Sequence, residues 1–144
     1  METLYVKYFN PKLPPLEYIA GKSDWIDLRA AADVAFQPGE MKLIPLGIAV
    51  KLPAGYEAHI APRSSTFKHF GLLQVNSVGV VDGSYCGDND QWFVPMLATR
   101  EVLVREGDRI CQFRIMRNQP PLEFVTAEHL ESEDRGGFGS TGVR

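Results

Sequence analysis

Arg109-Ile110-Cys111-Gln112-Phe113-Arg114-Ile115-Met116 alternates apolar with polar side chains. In an extended chain successive residues point to opposite sides, so Cys111, Phe113 and Ile115 share one face while Gln112 and Arg114 share the other. That is the pattern of a half-buried strand. The same period of two recurs in Leu4 to Tyr8, Trp25 to Leu28, Met41 to Leu52, Tyr56 to Ala61 and Gln91 to Ala98, with Pro, Gly, Asp and Asn between them. Many short strands at such spacing predict an all-β, antiparallel sandwich or barrel.

One brief segment reads as helix. Ser64-Ser65-Thr66-Phe67-Lys68-His69-Phe70 opens on hydroxyl residues suited to capping and meets Gly71, a favoured left-handed terminator. Arg63 precedes it. The first-turn amides, an arginine and two serines together make an anion site; an ordinary capped helix with a surface arginine accounts for the same residues.

The 144 residues fit a single domain, and the 44% hydrophobic share is ordinary for a globular chain. No apolar run reaches membrane-spanning length, and Met1-Glu2-Thr3-Leu4 lacks the basic and apolar regions of a signal segment, so a cytoplasmic protein with no membrane association is expected. A net charge of −3 argues against a nucleic-acid partner, which requires a basic face. Cys86 and Cys111 have no CxxC spacing and no neighbouring His, so they read as reduced, structural thiols.

Two stretches stand apart from the strand pattern. Gly79-Val80-Val81-Asp82-Gly83-Ser84-Tyr85-Cys86-Gly87 reads as a strand end followed by an Asp-Gly β-hairpin turn, with an acid three residues before an aromatic ring. Asp82 there is either a general base beside a stacking platform or plain turn chemistry, and Asn76 either reads a base edge or caps a turn. Arg135-Gly136-Gly137-Phe138-Gly139-Ser140-Thr141-Gly142 is too rich in glycine to pack well, but its amides and hydroxyls suit phosphate oxygens and Phe138 suits a planar ring. A disordered polar terminus is the competing reading. Gly107-Asp108-Arg109 turns into the strand that carries Gln112 on its polar face. Asp27, close to Asp24 on the other side of Trp25-Ile26, could orient a hydrated metal or simply be solvated.

Taken as an ordered set, these segments closely resemble the five motifs of the trimeric dUTPase family. Asp27-Leu28-Arg29-Ala30 is similar to the first, Pro62-Arg63-Ser64-Ser65 to the second, and Asn76 with Gly79 through Asp82 to Tyr85 and Gly87 to the third. Gly107-Asp108-Arg109-Ile110-Cys111-Gln112 is similar to the fourth, and Arg135 with Gly137 through Gly142 to the fifth. The resemblance covers about residues 20 to 144.

The resemblance implies a jelly roll that forms a homotrimer with three shared sites. One chain would bring motifs one, two and four, a second motif three, and a third its tail, about residues 131–144, as a mobile arm. The implied reaction is hydrolysis of dUTP to dUMP and pyrophosphate by water attacking the α-phosphorus, with Asp82 accepting the proton. Tyr85 would exclude a ribose 2′-hydroxyl, and Asn76 with the Val80 and Val81 backbone would read uracil. Arg63, Ser64, Ser65 and Gln112 would hold phosphates. Arg135, Gly139, Ser140 and Thr141 would close over them while Phe138 stacks on the base. Mg2+ would enter on the triphosphate with no direct protein ligand, and Asp27 would meet the ion through its water.

The sequence departs from the usual pattern at Ser65, where Gly is common, at Cys86, where Arg often follows the tyrosine, and through Asp88 to Trp92, where the strand register is open. Arg135 also lies three residues before Phe138, two fewer than usual. Bacterial and phage-borne members share these variations, which admits a regulatory protein partner responding to nucleotide occupancy. A dCTP deaminase shares the fold but needs a further glutamate, which has no clear counterpart here; a jelly-roll module without a ligand is the remaining alternative.

Overall fold

The computed structural model describes residues 1–19, 21–137, 139 and 141–144. Eleven strands and one short helix make up its regular structure: β1 Tyr5–Tyr8, β2 Ile26–Arg29, β3 Val34–Phe36, β4 Met41–Pro45, β5 Ile48–Lys51, β6 Tyr56–Ala61, α1 Thr66–Phe70, β7 Leu72–Gln74, β8 Gly79–Val81, β9 Phe93–Ala98, β10 Val102–Val104 and β11 Arg109–Arg117. Every pairing is antiparallel. A four-stranded sheet runs β2-β11-β6-β8, a three-stranded one β4-β9-β7, and β1-β5 and β10-β3 form two ribbons. Among the described residues no helix is long and apolar enough to cross a membrane.

Alternation explains the core. From β11 Phe113 points inward, from β6 Ala58 and Ile60, from β9 Val94, Met96 and Ala98, and from β4 Ile44, all buried. Trp92 meets Phe113 edge to face at 5.2 Å, a geometry that adds about 0.5–1.5 kcal/mol beyond simple burial.

Three differences from the sequence reading have local causes. Met41 to Leu52 is not one strand: Gly47 bends it at φ 71°, where an added Cβ would come 2.8 Å from the Ala31 Cβ, and its halves join different sheets. Asp82-Gly83 does not close a β-hairpin, because β8 pairs only with β6 while the returning strand β9 pairs with β4 and β7. Trp92 directs that return, since its amide donates to Ile48 and its carbonyl accepts from Leu46, seating the indole in the core. Finally, β11 carries a bulge between Arg109 and Cys111. Ile110 and Cys111 are therefore both buried, against the alternation expected of a regular strand.

The three-stranded sheet is apolar on both faces. Its outer face carries Met41, Leu43, Leu73 and Phe93, which are 55%, 56%, 47% and 42% exposed. Leu97 stands level with Met41 and Leu73, and Pro95 with Leu43, in adjoining strands.

Candidate active site

Arg63 follows the end of β6, Asp27 lies in β2, and Arg109 and Gln112 lie in β11, so three neighbouring strands deliver one polar cluster. The Asp27 carboxylate takes Arg63 Nε at 3.0 Å on one oxygen and Arg109 Nη1 at 3.4 Å on the other. Gln112 stands level with Asp27 across the β2–β11 ladder and donates from Nε2 to the Pro62 carbonyl at 3.1 Å. The bulge re-aims Arg109 toward Asp27 by displacing it from strict alternation. Cys111 lies beneath. Burial pushes its thiol far up and Asp27 pushes further the same way against an opposing pull from Arg63, so it stays neutral.

The predicted helix is shorter than its sequence pattern. It begins at Thr66 rather than Ser64, and the Thr66 amide is already bonded to the Arg63 carbonyl at 3.0 Å, so one turn is all that remains of the expected amide anion site. Ser65 stands at the N-cap in right-handed helical conformation and makes no capping bond with its side chain. Gly71 ends the helix at φ 64°, as its position suggested.

Asp82 sits one residue past β8, exposed. Its carboxylate accepts from the Ser84 hydroxyl and, at 2.8 Å, from the Ser84 amide. The Ser84 hydroxyl first, then its amide, and the Tyr85 amide hold the Asp82 carboxyl below its usual value against a small opposing effect of burial. Asp82 is therefore ionised at neutral pH. Tyr85 donates its hydroxyl to the Gln91 carbonyl at 2.8 Å, which fixes the ring over a groove of about 310 Å³ lined by Val80, Val81, Asp82, Gln91, Trp92 and Phe93. Pockets for small ligands start near this size, roughly 300 Å³. Asn76 lies beside Gly79, where a Cβ would meet its Nδ2 at 3.2 Å. Because β8 is a sheet edge, alternate backbone groups of Gly79 to Val81 have no strand partner.

The two halves lie at opposite ends of β6. Val81 stands opposite Ala58 in the β6–β8 ladder, and continuing that register sets Asp82 level with Glu57. Arg63 lies two residues past the other end of β6, and the stretch of strand between, Glu57 to Ala61, spans roughly 13 Å at the rise of an extended strand. Arg135, Gly139 and Thr141 belong to a chain end in which every described residue from Met116 onward is exposed. Phe138 and Ser140 lie outside the described residues.

Residues 21–142 match the family model described as dUTPase. The chain belongs to the dUTPase family. It is 57% identical over 123 residues to the SPbeta prophage-derived deoxyuridine 5′-triphosphate nucleotidohydrolase YosS of Bacillus subtilis, covering 85% of this chain and 87% of that one. It is 39% identical to the deoxyuridine 5′-triphosphate nucleotidohydrolase of Finegoldia magna, over 95% of this chain and 98% of that one. Among solved structures, the dUTPase of Staphylococcus bacteriophage 80alpha with dUpNHpp superposes at TM-score 0.80 with 22% identity, covering 98% of this chain and 99% of that one. The dUTPase of phage phi11 of S. aureus, described with a structural Mg(II) ion, gives 0.76 at 20% identity over 90% and 99%. At such identities the likeness speaks for the fold.

Two side chains of this dUTPase join the cluster without a role of their own having been assigned to them. Arg109 was legible as a charge beside an Asp, suited to an anion, within the fourth motif. Thr66 sat inside a run of hydroxyls whose outer members looked more useful, although among the described residues it is the one buried polar side chain.

Proposed function

We infer that this dUTPase hydrolyses dUTP to dUMP and pyrophosphate by a water that Asp82 activates for attack on the α-phosphorus. The reaction lowers dUTP and supplies dUMP for dTTP synthesis. One observation carries the mechanism: an exposed, ionised carboxylate in a nucleoside-sized groove, at the opposite end of β6 from a cluster suited to phosphate. Neither half suffices alone, so a second copy of the chain must bring Asp82 to Arg63.

The double-sided apolar sheet supports that assembly. Met41, Leu43, Leu73, Phe93, Pro95 and Leu97 make a contiguous apolar face exposed to water, and a homotrimer closed about a three-fold axis would bury it. Leu122, Phe124, Val125 and Leu130 are likewise exposed along the segment that leads into the C-terminal arm, which fits a chain end that docks on a neighbour. In this reading residues 1–144 are one domain, and about 131–144 form a mobile arm that closes over the neighbour's nucleotide, Arg135, Ser140 and Thr141 on phosphate and Phe138 on uracil.

Within the assembled site, Asp82 would take the water's proton while Ser84 keeps the carboxylate ionised. Tyr85, locked by Gln91, would lie under the deoxyribose. Asn76 and the free edge of β8 would pair with uracil, and cytosine would set donor against donor. Arg63, Ser64, Ser65 and Gln112 would grip the phosphates. Mg2+ fits as a passenger on the triphosphate, where it would screen the phosphate charge. Both Asp27 oxygens already face arginines, which leaves that residue only a water-mediated contact with such an ion. Catalysis would take place in the cytoplasm. A nucleotide-ordered arm also offers a surface that a regulatory protein partner could read, testable by pull-down with and without a non-hydrolysable dUTP analogue.

The functional test is pyrophosphate release from dUTP, dTTP, dCTP and UTP. Turnover confined to dUTP supports this reading. Equal rates on all four would end it, and ammonia from dCTP would point to the deaminase instead.

A further inference from the structure

We propose that Thr66 is a positioning residue for the phosphate-binding half of the site, a role that rests on the dUTP reading above. Thr66 is almost wholly buried. Its hydroxyl oxygen accepts the Arg63 amide at 2.8 Å and donates its proton to the Ile110 carbonyl at 3.1 Å. Each partner is a backbone group that regular structure leaves over. Arg63 has passed beyond the end of β6, and Ile110 is the bulged residue of β11, whose carbonyl a bulge removes from the ladder. One hydroxyl therefore ties the turn carrying Arg63, Ser64 and Ser65 to the bulge that aims Arg109.

The bond also decides what the serines are free to do. A hydroxyl at the start of a helix ordinarily bonds to the backbone there. Here Thr66 turns back to the Arg63 amide, and the Ser65 side chain makes no capping bond. The turn is pinned from below by the buried hydroxyl while Ser64, exposed, and Ser65, half-buried, face outward. Pyrophosphate oxygens would meet a surface whose arginines and hydroxyls are already in register, and small displacements of such groups are costly to binding and rate.

The experiment compares Thr66→Val, which keeps the shape and removes the hydroxyl, with Thr66→Ser and Thr66→Ala, a pair that differ by the hydroxyl alone. Direct pyrophosphate binding, KM and kcat for dUTP, and dUMP affinity are measured in assembled protein well below the thermal midpoint of each variant. The expected result is a rise of about tenfold in KM and in the pyrophosphate Kd for Val and Ala, a smaller fall in kcat, unchanged dUMP affinity, and recovery with Ser. A folded Val variant with the parent's KM and pyrophosphate affinity would overturn the proposal. Should Val fail to fold, equal pyrophosphate affinities for Ser and Ala overturn it as well, and a Ser variant that binds tighter than Ala supports it. A parent chain that binds pyrophosphate but never turns over dUTP would defeat the functional reading instead, leaving the pyrophosphate comparison intact.

Discussion

Around Asp27 the partners come from other segments: Arg63 from the turn after β6, Arg109 from β11. Asp82 is held by Ser84 and Tyr85, two and three residues further along its own loop. The first arrangement is a surface whose geometry depends on three strands staying in register. The second carries its own support wherever the edge of β8 is placed. In the proposed assembly this would let a site be divided between chains, with the phosphate cluster fixed by one fold and Asp82 carried as a self-contained unit on another copy.

The largest effect should come from removing the base. Asp82→Asn keeps the loop's size but cannot accept the proton, so kcat should fall by about a hundred- to ten-thousand-fold with analogue binding retained. Unchanged turnover would remove Asp82 from the chemistry. Next is the surface that would bring the halves together. Leu43→Asp places a charge on the outer apolar face. It should shift sedimentation toward monomer and cost activity by about tenfold or more at dilute concentrations, while the far-ultraviolet spectrum stays that of the parent. Activity that survives in a monomer would contradict a divided site.

Asp27→Asn should act more gently, because its ion pairs are partly exposed and such pairs are worth about 0.2–1 kcal/mol each. Loosening both arginines should raise KM for dUTP by about tenfold, with little change in the melting temperature. The smallest effect sharpens the other half. Ser84→Ala removes the leading cause of the low Asp82 carboxyl value, so the acid limb of kcat should move up toward the ordinary 3.8, as a pH–rate profile would record. The sign follows from the lowered folded value: stability contributed by Asp82 is present above the unfolded value and is lost as pH falls through the folded one. An acid limb that stays in place would separate Ser84 from the tuning of the base.

Alternation made the sheet legible in β11 and β6, where one face is buried and every second residue reports it. It failed where both faces are apolar, as in Met41 to Leu52, because the period carries no signal there and a glycine bend at Gly47 passes unseen. The bulge at Ile110 was hidden for a related reason: a single inserted residue leaves composition untouched and changes only register. The Asp-Gly turn promised a hairpin, but the turn pair alone cannot say which strand the chain joins next. Trp92 settled that through its bonds to Leu46 and Ile48. Among the site residues, Arg63, Asp82, Tyr85 and Gln112 were legible only as members of an ordered set of motifs, since each alone also reads as turn or surface chemistry. Thr66 was not, since a buried threonine shows itself only through the partners it finds in space.

Mixing Asp82→Asn chains with Arg63→Ala chains, unfolding them together and letting them reassemble, tests the divided site most directly. Each variant alone should be nearly inactive. The mixture should recover activity in about a quarter of its sites by random assembly, because an intact Arg63 from one chain can then face an intact Asp82 from another. A mixture as inactive as its components, in particles confirmed to contain both chains, would contradict the account.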